Sequence, residues 1–157
     1  MFKISRLTDY ATVLLAELTE PSGALRTAAQ MAQRTGIGAA TVSKLLKQLQ
    51  RAGLVQSTRG AQGGYRLARP PESISAADIL DALEGPVRLT DCAHGEHRCE
   101  LQNHCQVERS WQRVSLSFRA MLQQLTLAEM AGLVPQTVRI PLSQLDPGKP
   151  LPRSTAR

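Results

Sequence analysis

Cys92, Cys99 and Cys105 are the residues of this chain best suited to chemistry: three thiols inside 14 residues, with six and five residues between them. Around them stand His94, His97, His104, Glu96, Glu100 and Glu108. Thiolates are soft donors that suit iron–sulfur clusters, zinc or copper(I). Zinc fingers and ribbons pair their ligands two to four residues apart, and no such pair occurs here. A cluster generally takes four protein ligands, and a non-cysteine fourth is known chemistry. Between Cys92 and Cys105 only Ala93 and Leu101 are apolar. The cysteines are therefore not three small core residues, and the ordering entropy of this stretch must be offset by something other than burial. Three readings remain open: an iron–sulfur cluster, a zinc site, or free redox-reactive thiols. The candidate fourth ligands are Glu108, one helical turn beyond Cys105, His104 beside it, and Asp9, far back in the chain and able to reach in from a partner subunit.

A second set of residues points to nucleic acid. Lys44, Lys47 and Arg51 recur at i, i+3 and i+7, opposite an apolar stripe of Val42, Leu45, Leu46 and Leu49. Arg59 opens the glycine-rich run Arg59-Gly60-Ala61-Gln62-Gly63-Gly64. Charge is uneven: residues 1–70 hold ten basic and three acidic residues, 71–134 five and nine, and 135–157 four and one. A basic front half is the electrostatic footprint of a nucleic-acid face. A solvated helix face is the competing reading of the lysine stripe alone.

The elements that must position these residues follow from periodicity and punctuation. Leu7, Tyr10, Ala11, Leu14, Leu15 and Leu18 predict a helix from about Thr8 to Thr19, broken by Pro21-Ser22-Gly23. Thr27 is the expected N-cap of a short helix, Gly36 a turn, and residues 39–52 a second helix stopped by Gly53. Leu54–Thr58 and Tyr65–Leu67 flank the glycine-rich turn as a hairpin. Ser75-Ala76-Ala77-Asp78 opens another helix, ended by Gly85-Pro86. This order is that of a mainly α, winged helix-turn-helix domain with a two-stranded wing. In such a domain the second helix of the pair enters the major groove N-terminus first. Ala40, Thr41, Ser43 and Lys44 would then face base edges. Lys3, Lys47 and Arg51 would neutralise phosphates, and Arg59 would enter the minor groove.

From about Gln106 a long helix carries Val107, Trp111, Val114, Phe118, Met121 and Leu125, a heptad seam about 28 Å long. It is expected to be a dimerisation helix, with packing on the winged domain as the alternative. Thr126-Leu127-Ala128-Glu129 caps a short last helix. The expected organisation is a DNA-binding domain over 1–85, a cysteine stretch over 86–105, dimerisation and terminal helices over 106–134, and a Pro-rich basic tail over 135–157. Five of the nine prolines fall in that tail, which is expected to be disordered. Val138-Arg139-Ile140 is its one strand-like run.

With 157 residues, a net charge of +6 and only 3% aromatics, the chain is long enough for an aliphatic core without disulfides. No apolar run near the start is long enough for a membrane span or a secretory signal, so the expected compartment is the cytoplasm. There is no Walker loop, dinucleotide fingerprint, His-Glu-x-x-His or nucleophile elbow. Neither an enzyme nor a small-molecule substrate is expected.

The opening Ile4-Ser5-Arg6-Leu7-Thr8-Asp9-Tyr10-Ala11 resembles that of the Rrf-two family of bacterial transcription regulators. So do Gly53-Leu54-Val55, Arg59-Gly60, Gly63-Gly64-Tyr65, the cysteine stretch and Thr126-Leu127. The resemblance covers residues 1–134. It implies a homodimer, a cluster on Cys92, Cys99 and Cys105, and cluster-dependent binding to a double-stranded operator. The opening is most similar to the branch that regulates the SUF cluster-assembly operon, which implies repression of those genes. Two departures stand out. Cluster-sensing members of this kind have five residues between the first two cysteines, and a histidine where this chain has Glu108. Cluster type, 2Fe–2S or 4Fe–4S, is thereby left open. In nitric-oxide-sensing members an aspartate at the position of Asp9 is a ligand. Ser43-Lys44 also differs from the cluster-sensing members, so no operator sequence is implied.

Overall fold

Among the described residues of the computed structural model, which are 3–20, 23–60, 62–86 and 106–135, six helices and one hairpin follow the chain. They are α1 (Arg6–Glu17), α2 (Ala28–Thr35), α3 (Ala39–Arg51), β1 (Val55–Thr58), β2 (Gly64–Leu67), α4 (Ala76–Glu84), α5 (Glu108–Gln124) and α6 (Leu127–Met130). A single 3-10 turn, Pro71–Ser73, precedes α4. The fold is mainly helical with a two-stranded wing, as the sequence pattern predicts. None of these helices is long and apolar enough to cross a membrane.

Local chemistry sets most of the boundaries. Thr27 with Gln30, Ser75 with Asp78, and Thr126 with Glu129 each form a complete capping box, which satisfies two otherwise orphaned N–H groups apiece. Ser5 caps α1, accepting from the Thr8 amide. The helix therefore begins at Arg6 rather than Thr8, and it closes at Glu17, two residues before the predicted end. Gly36 at φ 72° ends α2 in a left-handed turn and lets α3 start three residues later.

β1 and β2 pair antiparallel, Val55 with Leu67 and Thr58 with Gly64. A third segment joins them: the Arg26 amide donates to the Tyr65 carbonyl at 3.0 Å and the Tyr65 amide to that of Arg26 at 2.8 Å. This approach leaves no room at Gly64, where a Cβ would stand 2.9 Å from the Arg26 carbonyl oxygen.

The core is aliphatic. Leu14 and Leu15 of α1, Met31 of α2, Val42, Leu45, Leu46 and Leu49 of α3, Leu54, Ile74 and Leu127 have essentially no exposed surface. Leu127 belongs to α6, which the sequence pattern groups with the dimerisation helix. The structure seats it in the winged domain instead. The Leu127 amide donates to the Ile74 carbonyl at 2.7 Å and the Ala76 amide to that of Leu125 at 2.8 Å. α5 is tied to α4 by a bidentate ion pair, Arg119 to Asp81, at 2.6 and 2.8 Å.

Because Leu127 is fully enclosed, Leu127→Ala is expected to cost about 2–5 kcal/mol, read as a lower urea midpoint at unchanged slope. A loss below about 1 kcal/mol would mean that α6 only rests on the surface.

Candidate nucleic-acid interface

α3 has one apolar face, and burying it fixes what the other face presents. Val42, Leu45, Leu46 and Leu49 turn inward, while Ala40, Lys44, Lys47 and Arg51 are exposed along the opposite line. Thr41 and Ser43 flank that line, half-buried. The helix is preceded by Gly38, which offers no side-chain cap. Its first amides are therefore left to a partner such as water or phosphate.

Arg59 is exposed at the wing tip. Gly60 sits at φ 115° there, and the Gly63 amide closes on the Gly60 carbonyl at 2.9 Å. Glycine is required at both places: at Gly60 by the backbone angle, and at Gly63 because a Cβ would lie 2.3 Å from the Thr58 carbonyl oxygen.

The basic residues divide into two groups. Arg26 pairs with Glu20, Arg34 with Glu17 at 2.7 Å, Arg69 with Asp78 at 3.5 Å, and Arg119 with Asp81. The Glu17 bond raises the Arg34 pKa further above its ordinary value. By contrast, among the described residues Lys3, Arg6, Lys44, Lys47, Arg51, Arg59, Arg66, Arg109 and Arg113 form no ion pair and are exposed, Arg6 donating to the Tyr10 hydroxyl instead. Four arginines are thus neutralised within the fold, while every cation of α3 and the wing tip is left to solvent, as are Arg6, Arg66, Arg109 and Arg113.

The predicted metal ligands fare differently. Cys92, Cys99, Cys105, His94, His97 and His104 lie outside the described residues, as do residues 136–157 of the tail with Val138-Arg139-Ile140. Glu108 is the first residue of α5. Asp9 is exposed on α1 and lines a mainly apolar cavity of about 210 Å³, shared with Thr12, Ile79, Leu122 and Leu125. Leu122 lies 14 residues along α5 from Glu108, about 21 Å at the helical rise. Among the described residues no three His, Cys, Asp or Glu side chains gather into a metal site.

The predicted dimer seam splits along α5. Val107, Trp111, Val114 and Met121 are exposed, Trp111 at 45%, whereas Phe118 and Leu125 are half-buried. α5 meets α4 through Arg119, paired with Asp81, and through Leu122, which lines a cavity with Ala76, Ile79, Leu80 and the seam residue Leu125; Ser115 is buried. Sequence reasoning missed Arg119, because its position off the seam reads as a solvated charge. It also missed the Arg26 strand segment, which has no local signature.

A helix with a free cationic face, following a short helix and a tight turn and joined to a glycine-tipped wing, defines a winged-helix DNA-binding protein of the transcription-regulator class. The family model for Rrf2, described as an iron-dependent transcriptional regulator, matches residues 4–132, and the chain belongs to that family. It is 32% identical over 102 residues to the HTH-type transcriptional regulator IscR of Aliivibrio salmonicida, a stretch covering 65% of this chain and 60% of that relative's length. Among solved structures it resembles CymR, the global cysteine regulator of B. subtilis, with a TM-score of 0.65 at 29% identity over 85% of this chain and 99% of that one. T. potens IscR superposes with a TM-score of 0.63 at 30% identity over 83% and 87% of the two chains. The relatives are DNA-binding regulators, and this chain is a regulator rather than an enzyme.

Lys44→Ala and Lys47→Ala are each expected to lower the slope of log affinity against log salt by about one. Arg59→Ala is expected to weaken binding about tenfold, about 1.4 kcal/mol. Both are measured by fluorescence anisotropy on a duplex that the protein selects from a random pool. Unchanged slopes would remove α3 from the DNA.

Proposed function

We propose that this protein is an iron–sulfur-responsive repressor whose operator affinity depends on what Cys92, Cys99 and Cys105 hold, and that its targets are SUF cluster-assembly genes. The observation that supports it most is that α3 of this Rrf2-family chain presents Lys44, Lys47 and Arg51 exposed and unpaired beside an N-terminus with no side-chain cap, with Arg59 likewise free at the wing tip. The cysteine stretch adds a donor set of three soft thiolates. Thr41, Ser43 and Lys44 read base edges, Lys3, Lys47 and Arg51 hold phosphates, and Arg59 enters the minor groove.

Two copies act together in this reading. Val107, Trp111, Val114 and Met121 meet their counterparts in a homodimer, with Phe118 and Leu125 at its inner edge. This places two recognition helices about one duplex turn apart, roughly 34 Å. Of the candidate fourth ligands, Glu108 and His104 would serve from the same chain as the cysteines. Asp9, far from the cysteines in sequence, would serve from the partner subunit. When bound, a cluster supplies a centre whose presence follows iron and sulfur supply and which oxygen, peroxide or nitric oxide destroys. The chain's part is to convert that into affinity. The cysteine stretch enters at the end of α4 and leaves at the start of α5, so ligation joins the winged domain to the dimer helix. A tenfold change in affinity needs about 1.4 kcal/mol of difference between the two states. A cytoplasmic regulator of this kind needs no membrane and no small-molecule substrate.

A second reading is favoured by the likeness to CymR. There Cys92, Cys99 and Cys105 act as redox-reactive thiols, or hold zinc, and the winged domain responds to their oxidation state.

Protein purified without oxygen is expected to be brown and to contain iron and sulfide. The variant with all three cysteines changed to serine is expected to be colourless and to bind the selected duplex at least tenfold more weakly. Colourless starting protein that binds DNA according to its disulfide state, or that contains zinc, overturns the cluster and leaves the thiol reading. Trp111→Glu is expected to convert the dimer to monomer in sedimentation velocity at micromolar concentration. A persistent dimer would move the interface off α5.

A further inference from the structure

α1 begins differently from the other capped helices. In α2, α4 and α6 the third residue after the cap is Gln30, Asp78 or Glu129, whose side chain reaches back to the cap amide. In α1 that position is Thr8, too short to do so. The missing carboxylate comes from the far end of α4. Glu84 Oε1 accepts from the Ser5 amide at 3.0 Å and from the Thr8 hydroxyl at 2.5 Å. Thr8 is only 2% exposed, so Glu84 also satisfies a hydroxyl that would otherwise be buried with only Ser5 Oγ beside it, at 3.1 Å.

We infer that Glu84 is a positioning residue for DNA binding: it completes the α1 capping box across the chain and so fixes where the N-terminal arm bearing Lys3 leaves the domain. This rests on the DNA-facing reading of Lys3. The electrostatics favour the placement. A carboxylate at the C-terminus of its own helix is disfavoured by that helix's dipole, whereas one at the N-terminus of another is favoured. Glu84 occupies both positions, and the hydrogen bond from Thr8 holds its carboxyl below the ordinary value. Glu84 is also followed directly by Gly85, at φ 82°. The residue that sets the arm is thus the last of α4 before the chain turns toward the cysteine stretch. Lys3 and Ser5 are exposed, and Ile4 between them lines the cavity beside Ile79 and Leu125, so the cap on Ser5 and that one apolar contact together hold the arm.

The test uses the full-length protein and the selected duplex, with Glu84→Ala, Glu84→Gln, Lys3→Ala and the Lys3→Ala/Glu84→Ala double variant. Glu84→Ala is expected to bind several-fold more weakly, with a salt slope reduced by about one, as for Lys3→Ala. The double variant is expected to bind no more weakly than Lys3→Ala alone, since both remove the same contact. Glu84→Gln keeps an acceptor oxygen and is expected to recover most of the affinity. Additive losses, or a normal slope in Glu84→Ala, would overturn the assignment. If Glu84→Ala does not fold, Thr8→Val, which removes the donor to Glu84, decides it. Faster hydrogen exchange at the α1 amides with a lowered salt slope supports the cap, and faster exchange with an unchanged slope overturns it. Arg59→Ala separates the two readings. Weaker binding there beside unchanged Glu84→Ala sinks this inference alone, and unchanged binding in both sinks the DNA-facing reading with it.

Discussion

The burial of one face of α3 is the constraint on which the rest depends. Val42, Leu45, Leu46 and Leu49 are fully enclosed, and a helix rotates as a rigid body. Once those four side chains are placed, the direction of Lys44, Lys47 and Arg51 is no longer free. The partners that enclose them come from distant parts of the chain: Leu14 and Leu15 of α1, Met31 of α2, and Leu127 more than 75 residues downstream of α3. Packing chemistry therefore aims the exposed cations of α3. α6 is part of that packing, so residues after α5 help to set the direction of the α3 cations without touching them.

What could be seen in the sequence and what could not divides along the range of the interaction. Capping boxes act over three residues, and Thr27, Ser75 and Thr126 announce their helices. The helix-turn-helix and wing follow from such signals plus periodicity. Arg26 beside Tyr65, Arg119 on Asp81 and Glu84 on Ser5 pair residues 38 to 79 positions apart, and nothing local marks them. The start of α1 is set locally by Ser5, whereas the carboxylate that completes its cap comes from α4 and has no local mark. The candidate site is legible in kind rather than in arrangement. Three thiols in a polar stretch specify soft-metal or redox chemistry, but the choice among Glu108, His104 and Asp9 is one of distance, which spacing along the chain does not contain.

α5 shows why a heptad pattern alone is ambiguous. A seam of six apolar residues was compatible with packing on the winged domain or on a second copy. The structure divides it: Phe118 and Leu125 are half-buried, Leu125 lining the cavity between α1 and α4, and Val107, Trp111, Val114 and Met121 stay exposed. The helix meets α4 through the Arg119–Asp81 ion pair and through Leu122 in the same cavity. These contacts orient α5 while using only part of its apolar stripe, so four of its six large residues remain exposed. Large side chains exposed together on one helix face are the kind of patch that marks an interface.

The division of the cations carries a physical cost that helps to interpret them. Neighbouring like charges on a helix face repel, so Lys44, Lys47 and Arg51 along one line of α3 each weaken it slightly. A domain under selection for stability alone would place acidic residues beside them, as it does for Arg26, Arg34, Arg69 and Arg119. α3 contains no acidic residue at all, and its N-terminus lacks a side-chain cap. Both features leave positive potential unneutralised on the one surface that packing forces outward. A polyanion is the partner that compensates both, and duplex DNA presents its charge densely enough to meet the helix and the wing tip together.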